Sequence, residues 1–211
     1  MATQAYAPIL ESPKPNKPKL PNPERYARGL RKIFDSIHKT RLTGFITYGE
    51  MKAMIEHEEA IKFIGAKGIL LDYEKDTYNG ESLRRESDKS PIFIQKTDEG
   101  FFISFSNKND RFPYFEVLHE LGHAKLHLDK MKVGERWYCN SPGYAHAEAD
   151  DFALEFAMPK EAFVASIKSN PYQDKDRVGE CNYYAVAEYF RVNPMNIRRR
   201  SRQLTGWGAR E

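Results

Sequence analysis

Two cysteines in 211 residues, Cys139 and Cys181, are too few for a disulfide scaffold, and without a C-x-x-C pair they do not read as a zinc ribbon. Long apolar runs are also missing. Mean hydropathy is −0.70, and no stretch approaches the ~18 residues of a membrane helix, so a membrane-spanning protein is excluded and no membrane partner is expected. No secretory apolar segment follows Met1, from which a cytoplasmic location is expected. Charge of one sign is not in excess: 33 Lys+Arg against 30 Asp+Glu leave +3, which excludes a chain that coats nucleic acid by charge alone. The small total is a cancellation. Nine basic against three acidic residues over 1–41 give +6, 18 against 25 over 42–180 give −7, and six against two over 181–211 give +4.

Half of the twelve prolines crowd between Pro8 and Pro23, interleaved with Lys14, Lys17 and Lys19. Such a segment builds neither helix nor core, so residues 1–23 read as a disordered or polyproline-II leader. Tyr26, Leu30, Ile33, Phe34 and Ile37 then recur at helical spacing from Glu24 to about His38. Thr47 with Glu50 forms a capping-box pattern and opens a helix to about Ile64. Ile69 to Tyr73 reads as a strand. Ile92 to Ile94 and Phe101 to Phe105 flank Thr97-Asp98-Glu99-Gly100 as a hairpin. Further helices are expected from Pro113 to about Leu128, Tyr144 to Ala157, Pro159 to Lys168, Asn182 to Arg191 and Pro194 to Leu204. No repeat is visible, and the pattern is α+β with a small antiparallel sheet. The expected divisions are the leader, a catalytic domain over 24–180 and a basic helix pair over 181–211.

Chemistry concentrates at His119-Glu120-Leu121-Gly122-His123, an H-E-x-x-H pattern on a predicted helix. Positions i and i+4 share a helix face, so both imidazoles reach one ion. Glu120 lies beside that face, placed to take a proton from a water that zinc acidifies and to pass it to a leaving amine. Phe112, Phe115, Val117, Leu118, Leu121, Ala124 and Leu126 make the helix mostly apolar and hence buried, and buried histidines and glutamate need partners. His127 lies about 12 Å along the axis from His119 and does not share its ion on an unbroken helix. Leu126 and Asp129 stand where a metzincin needs glycine and a ligand.

A third ligand is expected from the next helix, where Glu148 sits at the edge of the stripe formed by Ala149, Phe152, Ala153 and Phe156. His146, Asp150, Asp151 and Glu155 are its rivals. Glu148 is placed to look into the core while Asp150 looks away. Tyr114, His127, Tyr138, Tyr144 and His146 are candidates for stabilising an oxyanion. Cys139 reads as a buried, inert thiol rather than as a fourth, inhibitory zinc ligand.

These blocks together resemble the ImmA/IrrE family of zinc metallopeptidases. Residues Arg111 to His127 are similar to R-x-x-F-x-x-x-H-E-x-x-H-x-x-x-H, and Glu148 to Pro159 to E-A-N-x-F-A-x-x-L-L-M-P, with Val186 to Val192 resembling the family's ending. The resemblance implies His119, His123 and Glu148 as ligands of one Zn2+ per chain and Glu120 as general base and acid. It implies a small antiparallel sheet packed on a zincin-like helical domain, with the metal between two helices. Asp150 replaces the usual asparagine. The family's hairpin strand runs beside the metal helix, so Phe101 to Ser106 is either a place for an extended substrate to add a strand or an ordinary core strand.

The expected function is a zinc-dependent endopeptidase acting on a protein substrate, by the resemblance a helix-turn-helix transcriptional repressor, and so a role in transcription regulation. The alternative is a nucleic-acid-binding or partner-sequestering protein with a non-catalytic zinc. For that reading Arg198, Arg199, Arg200 and Arg202, and the basic ends generally, are the available phosphate contacts. Oligomeric state is not legible.

Overall fold

A computed structural model describes residues 22–38, 46–72, 76–78, 81–82, 92–106, 112–139, 143–170 and 182–205. Residues 1–21 of the Pro/Lys leader, most of the polar stretch expected over 74–90, Arg111 and Cys181 lie outside them. The first amphipathic segment forms α1 (Pro23–His38), which buries Ala27, Leu30 and Phe34. α2 (Tyr48–Glu56) opens on the expected capping box: the Thr47 hydroxyl accepts from the Glu50 N–H at 3.2 Å, and the Glu50 carboxylate accepts from the Thr47 N–H at 2.8 Å. The single helix expected through Ile64 is in fact two. His57 leaves helical geometry at ψ 138°, and its ring caps the Glu59 N–H, so α3 (Glu58–Ile64) starts afresh.

Strands β1 (Lys67–Asp72), β4 (Phe93–Lys96), β5 (Gly100–Phe105) and β6 (Arg136–Tyr138) form a sheet in the order β1-β5-β4-β6, beside a separate two-stranded pair, β2 (Thr77–Tyr78) and β3 (Glu81–Ser82). β4 and β5 are the expected hairpin. Gly100 closes it, because a Cβ there would stand 2.0 Å from the Lys67 carbonyl oxygen. β1, however, runs parallel to β5, so the sheet is mixed and not the antiparallel sheet expected. No tight turn links β1 to the hairpin, and only a tight turn would force antiparallel pairing.

The remaining helices are α4 (Tyr114–His127), followed by a 3-10 turn over Leu128–Lys130, then α5 (Tyr144–Ala157), α6 (Lys160–Ser169), α7 (Tyr183–Phe190) and α8 (Pro194–Thr205). The described residues are therefore α+β, with eight helices and a small mixed sheet. α4 lies between the hairpin strands and α5, and α1 covers α5. Along the sheet, Leu70, Ile94, Phe101, Ile103 and Phe105 enter the main core, while Phe93 and Phe102 pack with Tyr138 in a smaller cluster, as a two-residue period requires. Val186, Phe190, Val192 and Ile197 bring α7 and α8 into the main core.

Candidate metal centre

α4 is buried nearly all round, because its apolar residues meet the hairpin on one side and α5 on the other. The H-E-x-x-H residues are carried inward with it: His119 is 2% exposed, and Glu120 and His123 are 0% exposed. The two helices approach closely at Gly122, where a Cβ would lie 3.0 Å from the Ala149 Cα and 3.2 Å from its carbonyl oxygen. That approach sets the first turn of α5, with half-buried His146, against the two histidines of α4.

Three ring nitrogens converge there. His119 Nε2 lies 3.1 Å from His123 Nε2, and His146 Nδ1 lies 3.1 Å and 3.0 Å from them respectively. Their partners fix the tautomers, since a neutral imidazole carries one N–H. Asp150 Oδ1, 2.8 Å from His119 Nδ1, accepts the proton there and leaves Nε2 with its lone pair. Glu148 Oε2, 2.9 Å from His127 Nε2, accepts that proton; His127 Nδ1 then accepts from His123 Nδ1 at 3.0 Å. His123 Nε2 is therefore also a bare lone pair. Two lone pairs 3.1 Å apart repel unless a cation lies between them, so this set suits a divalent metal. Carboxylates that orient metal-binding imidazoles through the other ring nitrogen are the usual support for such a centre.

The electrostatics agree. Burial, and then the neighbouring His119, His146 and His127, push the His123 pKa down to about 2, which keeps it in the neutral, ligating form. Burial also lowers His127 and His146. Glu120 is raised well above the usual carboxylate range by burial, opposed weakly by the Ile94 backbone. That contact falls short of a hydrogen bond, and neither Glu120 oxygen has a partner among the described residues. A cleft of about 640 Å³ opens beside this group, lined by His119, His146 and Asp150 on one side and Asn193, Asn196 and Arg199 on the other. Trp137 of β6 stands edge-on to His123 at 5.2 Å and 88°.

The structure thus brings His119 and His123 together, with Glu120 alongside, but places His146 at the third corner. Glu148 is 6% exposed and looks inward as expected, yet its carboxylate meets His127 instead, because His127 stands at the end of α4 directly in its path. His146, named among the rivals, could have been favoured by its i, i+4 relation to Asp150, which puts both on the face toward His119. Asp150 looks in, not away: it accepts from His119 and from Arg199 at 3.1 Å. A carboxylate in place of the family's asparagine gives these bonds full charge. Asp151 accepts from Gln203 and Glu155 from Arg200.

The other expectations divide. Among the oxyanion candidates, Tyr114 donates to the Phe190 carbonyl and His127 is held by His123 and Glu148; Tyr144 is 63% exposed. β5 is an interior strand paired on both sides, so Phe101 to Ser106 offers no edge to a substrate. The sheet edge next to the histidines is β6. The basic residues of α8 do not share a face: Arg198 lies 5.8 Å over the Tyr183 ring, Arg199 pairs with Asp150, and Arg200 is fully buried.

No curated protein and no solved structure is significantly similar to this chain. Residues 107–202 do match a peptidase family model, described as the IrrE N-terminal-like domain. That span contains all of α4 and α5, and with them every side chain of the histidine group and its carboxylate supports. Over residues 107–202, then, this chain is similar to the IrrE N-terminal-like domain of peptidases, in keeping with the resemblance of its two motif blocks.

Proposed function

We propose that the chain is a zinc-dependent endopeptidase whose one metal ion is held by His119, His123 and His146. The observation that carries this reading is the triangle of ring nitrogens 3.0–3.1 Å apart, with Asp150 and the Glu148–His127 pair turning lone pairs toward its centre. Three imidazoles with one position left open is the donor set of a catalytic rather than a structural zinc. Glu148 supports the site through His127 in this reading instead of binding the ion itself.

When bound, the metal supplies Lewis acidity, lowering the pKa of a water to about 7 and polarising a peptide carbonyl. The chain's residues do the rest. Glu120, buried beside the imidazoles, takes the proton of the attacking water and gives it to the leaving amine nitrogen. Its raised pKa suits both halves of that transfer, since a carboxylate that holds a proton more firmly is the better base. Asp150 and the Glu148–His127 pair keep the imidazoles from rotating. The cleft beside His119 and His146 receives the peptide, with Asn196 and Arg199 as the polar groups on its far wall.

The substrate we propose is a helix-turn-helix transcriptional repressor, the class that the family resemblance implies; the −7 charge of residues 42–180 favours encounter with a basic DNA-binding protein. The test is to purify the protein, measure its metal by elemental analysis, and incubate it with the repressor encoded beside it. About one zinc per chain, and new repressor termini that vanish on chelation, are expected. A folded protein that takes up no metal would remove the enzyme reading. No specific observation favours a nucleic-acid-binding role, because Arg198, Arg199 and Arg200 are turned to Tyr183, Asp150 and the core.

A further inference from the structure

Glu116 stands one turn before His119 on α4, at the i−3 position of the same face, and lines the proposed catalytic cleft with it. Its side chain is half-buried, yet its carboxylate has no hydrogen-bond or ion-pair partner among the described residues. Two clefts meet at this residue. The one of about 640 Å³ that contains His119 and His146, and a second of about 370 Å³, share Phe115, Glu116 and Asn193, so a groove leads from the histidine group across Glu116. The arginines nearby are not set to cancel its charge. Arg199 is paired with Asp150 at 3.1 Å, and Arg191 lines only the second cleft. Apolar surface in the main cleft comes from Phe115 on α4 and from Met195, 52% exposed, on α8.

We propose that Glu116 is the specificity-determining residue of the peptidase, accepting a substrate Arg or Lys side chain that adjoins the bond to be cut. This rests on the endopeptidase reading above. Residues three apart on a helix stand about 5–6 Å apart at Cβ, so a side chain that meets Glu116 belongs to a residue next to the one held at His119. Its aliphatic stem lies along Phe115 and Met195 while its cationic head reaches the carboxylate, and an arginine head makes two parallel bonds there. Discrimination comes as much from rejection. A neutral or acidic side chain seated in the groove strips water from Glu116 and supplies no partner, which leaves a desolvated charge unpaired. The basic substrate proposed above thus gains a local cause beside the −7 charge of residues 42–180.

The experiment incubates the zinc-loaded full chain with an equimolar pool of peptides randomised at their central positions and sequences the new termini by mass spectrometry. The wild type is expected to enrich Arg or Lys at one position adjoining the cut. Glu116→Gln should lose that enrichment, and Glu116→Arg should enrich Asp or Glu in its place. A readout without turnover uses the zinc-loaded Glu120→Gln chain and a fluorescein-labelled peptide of the most-cut sequence. Replacing its arginine by citrulline, which keeps the shape and removes the charge, should weaken binding by about 10-fold, and adding Glu116→Gln should erase the difference. Cutting without a basic preference, or a preference that survives Glu116→Gln, overturns the role of Glu116 and leaves the peptidase standing. A zinc-loaded wild type that cuts nothing in the pool overturns the peptidase reading and this one with it. The wild-type profile and the citrulline comparison decide even if a Glu116 variant fails to fold.

Discussion

His146 and Glu148 are two residues apart on α5, about 200° apart around the helix at 3.6 residues per turn, and the site depends on which of them points at the ion. Periodicity alone puts Glu148 at the edge of the apolar stripe and cannot say what it meets there. The answer lies in α4: His127 stands 2.9 Å from the Glu148 carboxylate and relays it to His123. The pair His119/His123 and the neighbouring Glu120 were legible because their spacing is fixed within one helix. The place of His146 at the third corner of the histidine group was not, because it depends on how two helices cross. The two roles have different consequences. In the proposed site His146→Ala removes a ligand and should abolish stoichiometric metal binding, whereas Glu148→Gln weakens an orienting bond and should lower metal affinity by about 10–100-fold. Competition with a chelator of known affinity ranks them; a larger loss for Glu148→Gln would restore it as the ligand. Glu120→Gln should retain the metal, since the proposed mechanism has Glu120 hold protons and not the ion, while repressor cleavage falls by about 10²–10⁴-fold. Parallel metal analysis and product mapping check both halves.

At the scale of elements, helices with a strong apolar face were readable from spacing, and so was the β4–β5 hairpin from its turn residues. The break at His57 was missed because α2 and α3 continue one apolar pattern across a residue whose ring caps the second helix. β6 was missed because three residues, Arg136–Tyr138, are too few to show a period, and β1 was paired wrongly because direction is set by tertiary contact. What the elements do for the site is clearest at Gly122. Replacing it with alanine gains up to about 1 kcal/mol of helix propensity. The new methyl, however, would press on the Ala149 backbone at 3.0 Å, and overpacking against backbone costs about 1–3 kcal/mol. The second effect wins, so Gly122→Ala should lower stability in urea denaturation by about 1 kcal/mol. It should also weaken metal binding, because separating α4 from α5 carries His146 away from His119. Unchanged metal affinity would mean that the crossing does not set the site.

For the whole molecule, the near-neutral total charge concealed a buried ionic knot that no composition reveals. Arg200 is fully buried on α8 and donates to the Glu155 carboxylate and, at 3.1 Å, to the Met158 carbonyl; Glu155 also accepts from half-exposed Arg28 of α1 at 3.3 Å. One buried carboxylate, Glu155, thus ties the first and last described helices to α5. The neighbour of Arg200 on α8, Arg199, holds Asp150, which orients His119. Arg200→Met fits the volume but leaves Glu155 buried with only its partly solvated partner, and stripping one member from such a pair costs about 3–5 kcal/mol. The loss in chemical denaturation should lie near the lower figure, since Arg28 remains. Adding Glu155→Leu removes the stranded charge, and the double variant should recover most of the stability. Metal affinity separates two accounts of the knot. If Arg200 acts only by compensating the buried Glu155 charge, the single variant loosens Arg199 and Asp150 and weakens metal binding along with the fold, and the double variant restores both. If stability recovers in the double variant while metal affinity stays low, the buried charge pair sets the register of α8 against the site.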